Sequence, residues 1–482
     1  MLQLNVEPWR VFLTSVFVKI LTINTKLYFS TDFEVHRNWL AITHSMPFSE
    51  WYREARNQWT LDYPPFFAYF EYFLSLFAPL VDPQIVDVEA QNYTSWSVIA
   101  FQRVSVIMIS DLILAICVNF SLDKKHGPLG LILTLFSSSL FIVDHIHFQY
   151  NGMLLGLLLI SVSLADGNRF YLSAAAFTVL VCFKHIYLFS GPIFLVFFLR
   201  HFVKSDLKRF ALLALIVFGI LLACILPIYL TGQLGAMLGR LFPFHRGLVH
   251  SYWAPNMWAL YLSIDRIIGK LLGVSSNGSP TSGIVGDVPL NILPEISPSF
   301  CLGLTLIMYI PLLWLMWTDS HRKVPFTVWV GLGNAVAFLF GWHVHEKALL
   351  MVLFPLVVSA VNENSTWRRI ACNMSIVTCG SMLPLLPRFQ ETVLKWTLSL
   401  FGILLESTLL ETDLNLGFIF FAFSGEIYRV VFHRIFFGSN EMEFLPLMVT
   451  SVANAVGLMV ILVEVVGTVI QQTRSRDRGK SD

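Results

Sequence analysis

Charge is scarce in this chain: Asp, Glu, Lys and Arg make up 13% of its 482 residues, against about 25% in soluble proteins. That excludes an aqueous globular domain. Neither sign dominates, with 32 basic residues, 31 acidic ones and a formal net charge of +1. The basic field that nucleic acid attracts is missing, so no nucleic acid partner is expected. The low hydrophobicity of disordered chains is missing too. Cysteine is sparse, and Cys117, Cys182, Cys224, Cys301, Cys372 and Cys379 contain no CxxC pair and sit in apolar stretches. They read as small apolar packers, not as a disulfide framework or a zinc site. After the apolar stretch Val11 to Ile23 there is no small-residue cleavage site, so a retained first span is expected there.

What is present is apolar bulk. Hydrophobic residues make up 56% of the chain, with 42 Phe and 13 Trp, and mean hydropathy is +0.68. They fall in long blocks, which predicts an all-α polytopic membrane protein. Spans are expected at Val98–Phe120, Leu129–Val143, Met153–Leu164, Leu172–Phe183, Leu188–Leu199 and Phe210–Leu230, with weakly bounded ones at Leu398–Leu410 and Leu416–Val431 and the last ending near Ile470. The stretch Tyr252–Leu272 carries Asp265, Arg266 and Lys270 and is read as not crossing. Basic connections at Lys124 and Lys125, at Arg200, Lys204, Lys208 and Arg209, at Arg322 and Lys323, and at Arg368 and Arg369 are then cytosolic, as is the tail 471–482 with Arg474, Arg476, Arg478 and Lys480. This parity gives about 14 spans. No internal repeat is seen, and the whole is read as one integral membrane domain. Two long loops, 28–96 (from Tyr28) and 231–297, fall on the opposite side. Connections that long are usually functional. Inside the first, Phe66 to Leu80 is apolar but too short to span and is expected to lie in the interface.

The chemistry gathers on that side. In TDFEVHRNW, Thr31 and Glu34 fit a capping box, which makes Asp32 the first helical residue, its carboxylate stabilised by the helix dipole. It can serve as a general base or merely as part of the cap. Glu34 and Arg37 follow it. In LDYPP, Asp62 precedes a rigid turn and Pro65 suits a first helical turn; it can bind sugar hydroxyls or its own backbone. VDHIHFQYNG places Asp144, His145, His147 and Gln149 at a span end, with Lys184 and His185 near another on the same side. GWHVHEKA supplies His343, His345, Glu346 and Lys347. A His-x-His pair beside a carboxylate can ligate metal, but two His two residues apart cannot share one helix face. Sugar or phosphate binding is the preferred reading, since ionisable groups at a membrane boundary are costly without a role. LFPFHRGLVHSYWAPN, preceded by Arg240, offers His245, Arg246 and His250 among aromatics. A guanidinium matches phosphate with two parallel hydrogen bonds; the bland alternative is an aromatic belt with snorkelling arginines. With no GxGxxG loop, P-loop or soluble DxD domain, an aqueous nucleotide-sugar donor is disfavoured.

These five motifs, in this order from Asp32 to Lys347, resemble the polytopic endoplasmic-reticulum glucosyltransferases that use dolichyl-phosphate glucose; the last third resembles them only in being hydrophobic. The resemblance implies a GT-C type membrane glycosyltransferase with interfacial helices in its first lumenal loop. It also implies Asp32 as catalytic base and an inverting reaction needing no metal or other cofactor. The substrates implied are dolichyl-phosphate glucose and a lipid-linked oligosaccharide precursor of N-glycans. The long runs at Thr31, Leu241 and Gly341 are closest to the alpha-1,3-glucosyltransferases that add the second glucose; the alternative within the family is the first. Substrate contacts are expected from Glu34, Arg37, Asp62, His145, His147, Gln149, Arg246, His343, His345 and Lys347. Rival classes are a transporter, which would usually show repeats and mid-membrane ionisable groups, and a non-catalytic subunit of a membrane complex.

Overall fold

The computed structural model describes residues 6–23, 30–244, 246–250, 254–274, 290–437, 442 and 444–474. Tyr28, His245, Tyr252, Asn277 and the basic tail residues Arg476, Arg478 and Lys480 lie outside them. The described residues are helical, with no strand among them. The chain divides into two compact units, Gln3–Pro243 and Phe244–Asp482.

Six described helices are long and apolar enough to cross a membrane: Trp96–Ser121, His185–Val203, Leu207–Leu230, Pro298–Thr318, Phe389–Leu409 and Leu445–Arg474. A seventh crossing arises if Gly127–Leu135 and Ser138–Phe148, bent by 41°, form one broken span. Shorter apolar helices occur at Pro65–Val81, Asn151–Asp166, Phe170–Phe183 and Phe326–Phe340. The protein is therefore a multi-pass membrane protein. The amphipathic stretch before Leu272 forms the helix Met257–Leu271, capped by the Asn256 side chain, and is not among the long apolar helices. Its buried Asp265 accepts backbone N–H bonds from Asn291, Ile292 and Leu293 at 2.8–2.9 Å. Burial opposes ionisation there, but those donors prevail and hold the carboxyl below its ordinary range.

In the first unit the long loop is built, not slack. Ser30 caps the helix Thr31–Ser45, its hydroxyl accepting from Phe33 N at 3.2 Å. Thr31 is already helical, so the expected cap lies one residue too late. Glu34 does not reach back to complete a capping box; it takes three hydrogen bonds from Arg37 at 2.8–3.1 Å. The same guanidinium donates to the carbonyl of Asp87 at 2.9 Å, which ties the end of the loop to its first helix. Asn38 and Trp39 donate to the carbonyls of Trp59 and Thr60, delivering LDYPP to that helix. Pro65 then opens the helix Pro65–Ser75 at a position where no N–H is needed. Beneath, Lys19 and Asp111 form a buried ion pair at 2.9 Å, and Asp111 also meets His145 at 3.3 Å. A charge this deep is tolerable only when paired, and the pairing fixes which way Phe141–Phe148 faces.

Candidate active site

Asp32 lies in the first turn of Thr31–Ser45, where unpaired backbone N–H groups favour an anion. Its side chain keeps 23% exposure, so a solute can reach it. Two donors from the third motif converge on one oxygen, Oδ2: His147 Nε2 at 3.1 Å and Gln149 Nε2 at 2.5 Å. Residues two apart cannot face one way along a helix, and the backbone solves this by ending the helix between them. Phe148 takes a positive φ of 84° and Gln149 is extended. A bulky residue in that region is strained, and strain of this kind collects at functional sites. It is held by ring contacts of Phe148 with Phe33, His36 and Tyr150 at 5.3–5.5 Å. The hydroxyl of Ser30 donates to the carbonyl of His147, so the cap that starts the Asp32 helix also grips the segment that supplies its donors.

Around this centre the other nominated residues take distinct places. Tyr63 lies within electrostatic reach of Asp62 and Asp32: burial first, then these two carboxylates, push its phenol well above its ordinary value. Arg240 donates to the carbonyl of Glu54 at 2.7 Å; burial holds it below the usual guanidinium value while Asp62 acts in the opposite sense. Lys184 sits 4.9 Å over the Tyr63 ring and 3.3 Å from Asn151 Oδ1. Glu34 and Arg37 engage one another, and His145 turns to Asp111, away from His147. Unnominated by motif reading is the buried pair His36–Glu71, 2.6 Å apart. The spacing of His36 one turn after Asp32 was the available signal.

The unit Phe244–Asp482 carries the other cluster. Gly341 ends the helix Phe326–Phe340, and a Cβ there would meet the carbonyl of Ala337 at 2.5 Å. Trp258 donates to the carbonyl of Gly341 at 2.9 Å. His343, at φ 51°, bonds through its ring and backbone N to the carbonyls of Gly247 and Leu248 at 2.7 and 2.9 Å, so GWHVHEKA is clasped to the aromatic stretch. His250 stacks on His345 at 3.9 Å and 28°, and both lie 5.6 Å from His343. Arg246 is exposed and Lys347 half-buried. Ligand atoms of His250, His345 and Glu346 lie within 4.8 Å of one another, close enough to share a cation. The ring geometry speaks against it, because imidazole lone pairs lie in the ring plane and stacked rings direct them nearly parallel.

The family model for the ALG6, ALG8 glycosyltransferase family matches residues 15–465. The chain is 40% identical to the dolichyl pyrophosphate Glc1Man9GlcNAc2 alpha-1,3-glucosyltransferase of Arabidopsis thaliana over 93% of this chain and 95% of the relative. It is 39% identical to the probable enzyme of the same name from Drosophila melanogaster, over 94% and 92%. For the Mus musculus protein of that name the identity is 37%, over 92% and 91%. The last third, where the motifs fall silent, thus lies within the matched range too, and the chain belongs to the ALG6, ALG8 glycosyltransferase family.

Proposed function

We propose that the chain transfers glucose from dolichyl-phosphate glucose, in alpha-1,3 linkage, to a lipid-linked oligosaccharide already carrying one glucose. The setting is the endoplasmic reticulum membrane, with a lumenal site on a GT-C type scaffold of about 14 spans. One observation carries the chemistry: a reachable carboxylate, Asp32, stands at a helix start with His147 and Gln149 donating to it. The names of the relatives support the acceptor.

The acceptor hydroxyl gives its proton to Asp32 while its oxygen bonds to the anomeric carbon. The bond from that carbon to the phosphate oxygen breaks on the opposite face, and its electron pair leaves as dolichyl phosphate. One displacement turns the beta-linked donor into an alpha-linked product. Because the leaving group is a weakly basic anion, no general acid is needed, unlike the carboxylate pair of a glycosidase. Cationic donors stabilise the departing charge; Arg246, His343, His345 and Lys347 are assigned that role. Asp62 is assigned to sugar hydroxyls. Glu34, Arg37 and His145, already engaged with protein partners, serve by holding the loop and the donor segment in place. No metal or other cofactor takes part.

The test supplies purified chain with labelled dolichyl-phosphate glucose and two acceptors, unglucosylated and monoglucosylated. Label should enter the monoglucosylated chain. Equal or better transfer to the unglucosylated one overturns the step, and transfer to neither overturns the donor.

A further inference from the structure

The polar chain behind Asp32 has a direction. At one end the Lys184 ammonium, which can only donate, lies 3.3 Å from Asn151 Oδ1. Asn151 Nδ2 donates to Gln149 Oε1 at 2.7 Å and to Asp144 Oδ1 at 2.9 Å. At the other end Gln149 Nε2 donates to the Asp32 carboxylate, which can only accept. Between a pure donor and a pure acceptor, each of the two amides has one workable orientation. Turned over, Asn151 would set its oxygen against Gln149 Oε1, two acceptors with no proton between them. Asp144 is fully buried and is itself held by the Gly152 backbone N–H at 2.7 Å, so the anchor does not move with the solvent.

We propose that Asn151 is a positioning residue for the transfer: by donating to Gln149 Oε1 it keeps the Gln149 amide nitrogen turned toward Asp32. It acts through Gln149. The inference rests on Asp32 being the base, and the experiment separates the two. The full chain is purified as wild type, Asp32→Asn, Gln149→Leu, Asn151→Leu and the Gln149→Leu/Asn151→Leu double variant, and kcat and KM for the monoglucosylated acceptor are measured. Asn151→Ser, smaller and still polar, takes the place of Asn151→Leu throughout the cycle if the leucine variant is not recovered folded. A hydrogen bond to a charged group is at stake, so each single change at 149 or 151 should lower kcat by about 10- to 100-fold. KM should stay within about twofold, and the double variant should be no slower than Gln149→Leu alone. Losses that multiply in the double variant, a change confined to KM, or wild-type kcat in the Asn151 variant overturn the positioning role. Full turnover in Asp32→Asn overturns the base assignment instead.

Discussion

At the residue scale the weight falls on one carboxylate. Asp32→Asn preserves size and the first helical turn but cannot accept the acceptor's proton. A lost general base typically costs about 10²–10⁴-fold, and single-turnover glucose transfer by a folded variant should show a loss of that size; a wild-type rate would refute the role. The same scale bears on metal. His145 and His147 face different carboxylates, Asp111 and Asp32, and His250 stacks on His345. Transfer should therefore continue unchanged in EDTA, and loss restored by a divalent ion would revive a metal site at His250, His345 and Glu346. Asp32 itself was legible as a helix-start carboxylate. Its two partners were legible only as members of a polar motif over a hundred residues away, because hydrogen bonds at that separation leave no periodicity in a sequence.

At the scale of the element, the loop ahead of the helix Trp96–Ser121 owes its shape to buried polar pairs. Arg37 is fully buried and Glu34 is 7% exposed, so removing one partner leaves the other charged and dry. Glu34→Gln should destabilise the folded chain by about 3–5 kcal/mol, readable as lowered thermal stability in detergent. Glu34→Gln/Arg37→Met should be milder than that single change. Further along, Asp82 accepts from Tyr93 at 2.7 Å and Ser97 at 2.5 Å, the Ser97 bond being the larger cause that pushes its carboxyl from 3.8 down to about 2. A depressed folded value contributes stability above the unfolded one and surrenders it as pH falls through the folded one. Amide-exchange protection in residues 82–97, taken relative to the intrinsic rate at each pH, should hold constant down to about pH 4 and fall between about pH 4 and 2; Asp82→Asn should abolish that dependence. Loss of protection near pH 6 would point to another group. Helix existence here was readable from apolar runs and from Pro65. The fine start of Thr31–Ser45 was not, since Ser30 and Thr31 are both residue types that cap helices, and the carbonyl of His147 holds Ser30 in that place.

For the whole molecule, the side of the membrane each loop faces remains a matter of basic-residue bias, and glycan acceptors report on it. Asn92 is exposed in a turn and Thr94 exposed just after it, while the Asn364 side chain is spent capping Ser365–Met382, accepting from Thr366 and Trp367 N at 3.1 and 3.4 Å. With loop 28–96 lumenal and Arg368 and Arg369 cytosolic, mass spectrometry should find glycan at Asn92 and none at Asn364. Glycan on Asn364 would invert that region and change the span count.

Hydrophobic content and block length alone settle that this chain lives in a bilayer as helices, because burying backbone polar groups in hydrocarbon leaves few other options. The same blocks could not say where helices bend or widen. That depends on which buried charge finds which partner: Lys19 and His145 on Asp111, Arg37 on Glu34, Lys395 on Glu426 at 2.8 Å. Motif chemistry likewise marks Asp32, His147 and Gln149 one at a time. Their meeting on a single oxygen follows from the turn at Phe148 and the grip of Ser30, contacts between segments distant in the chain, whose energies depend on packing that no local pattern encodes.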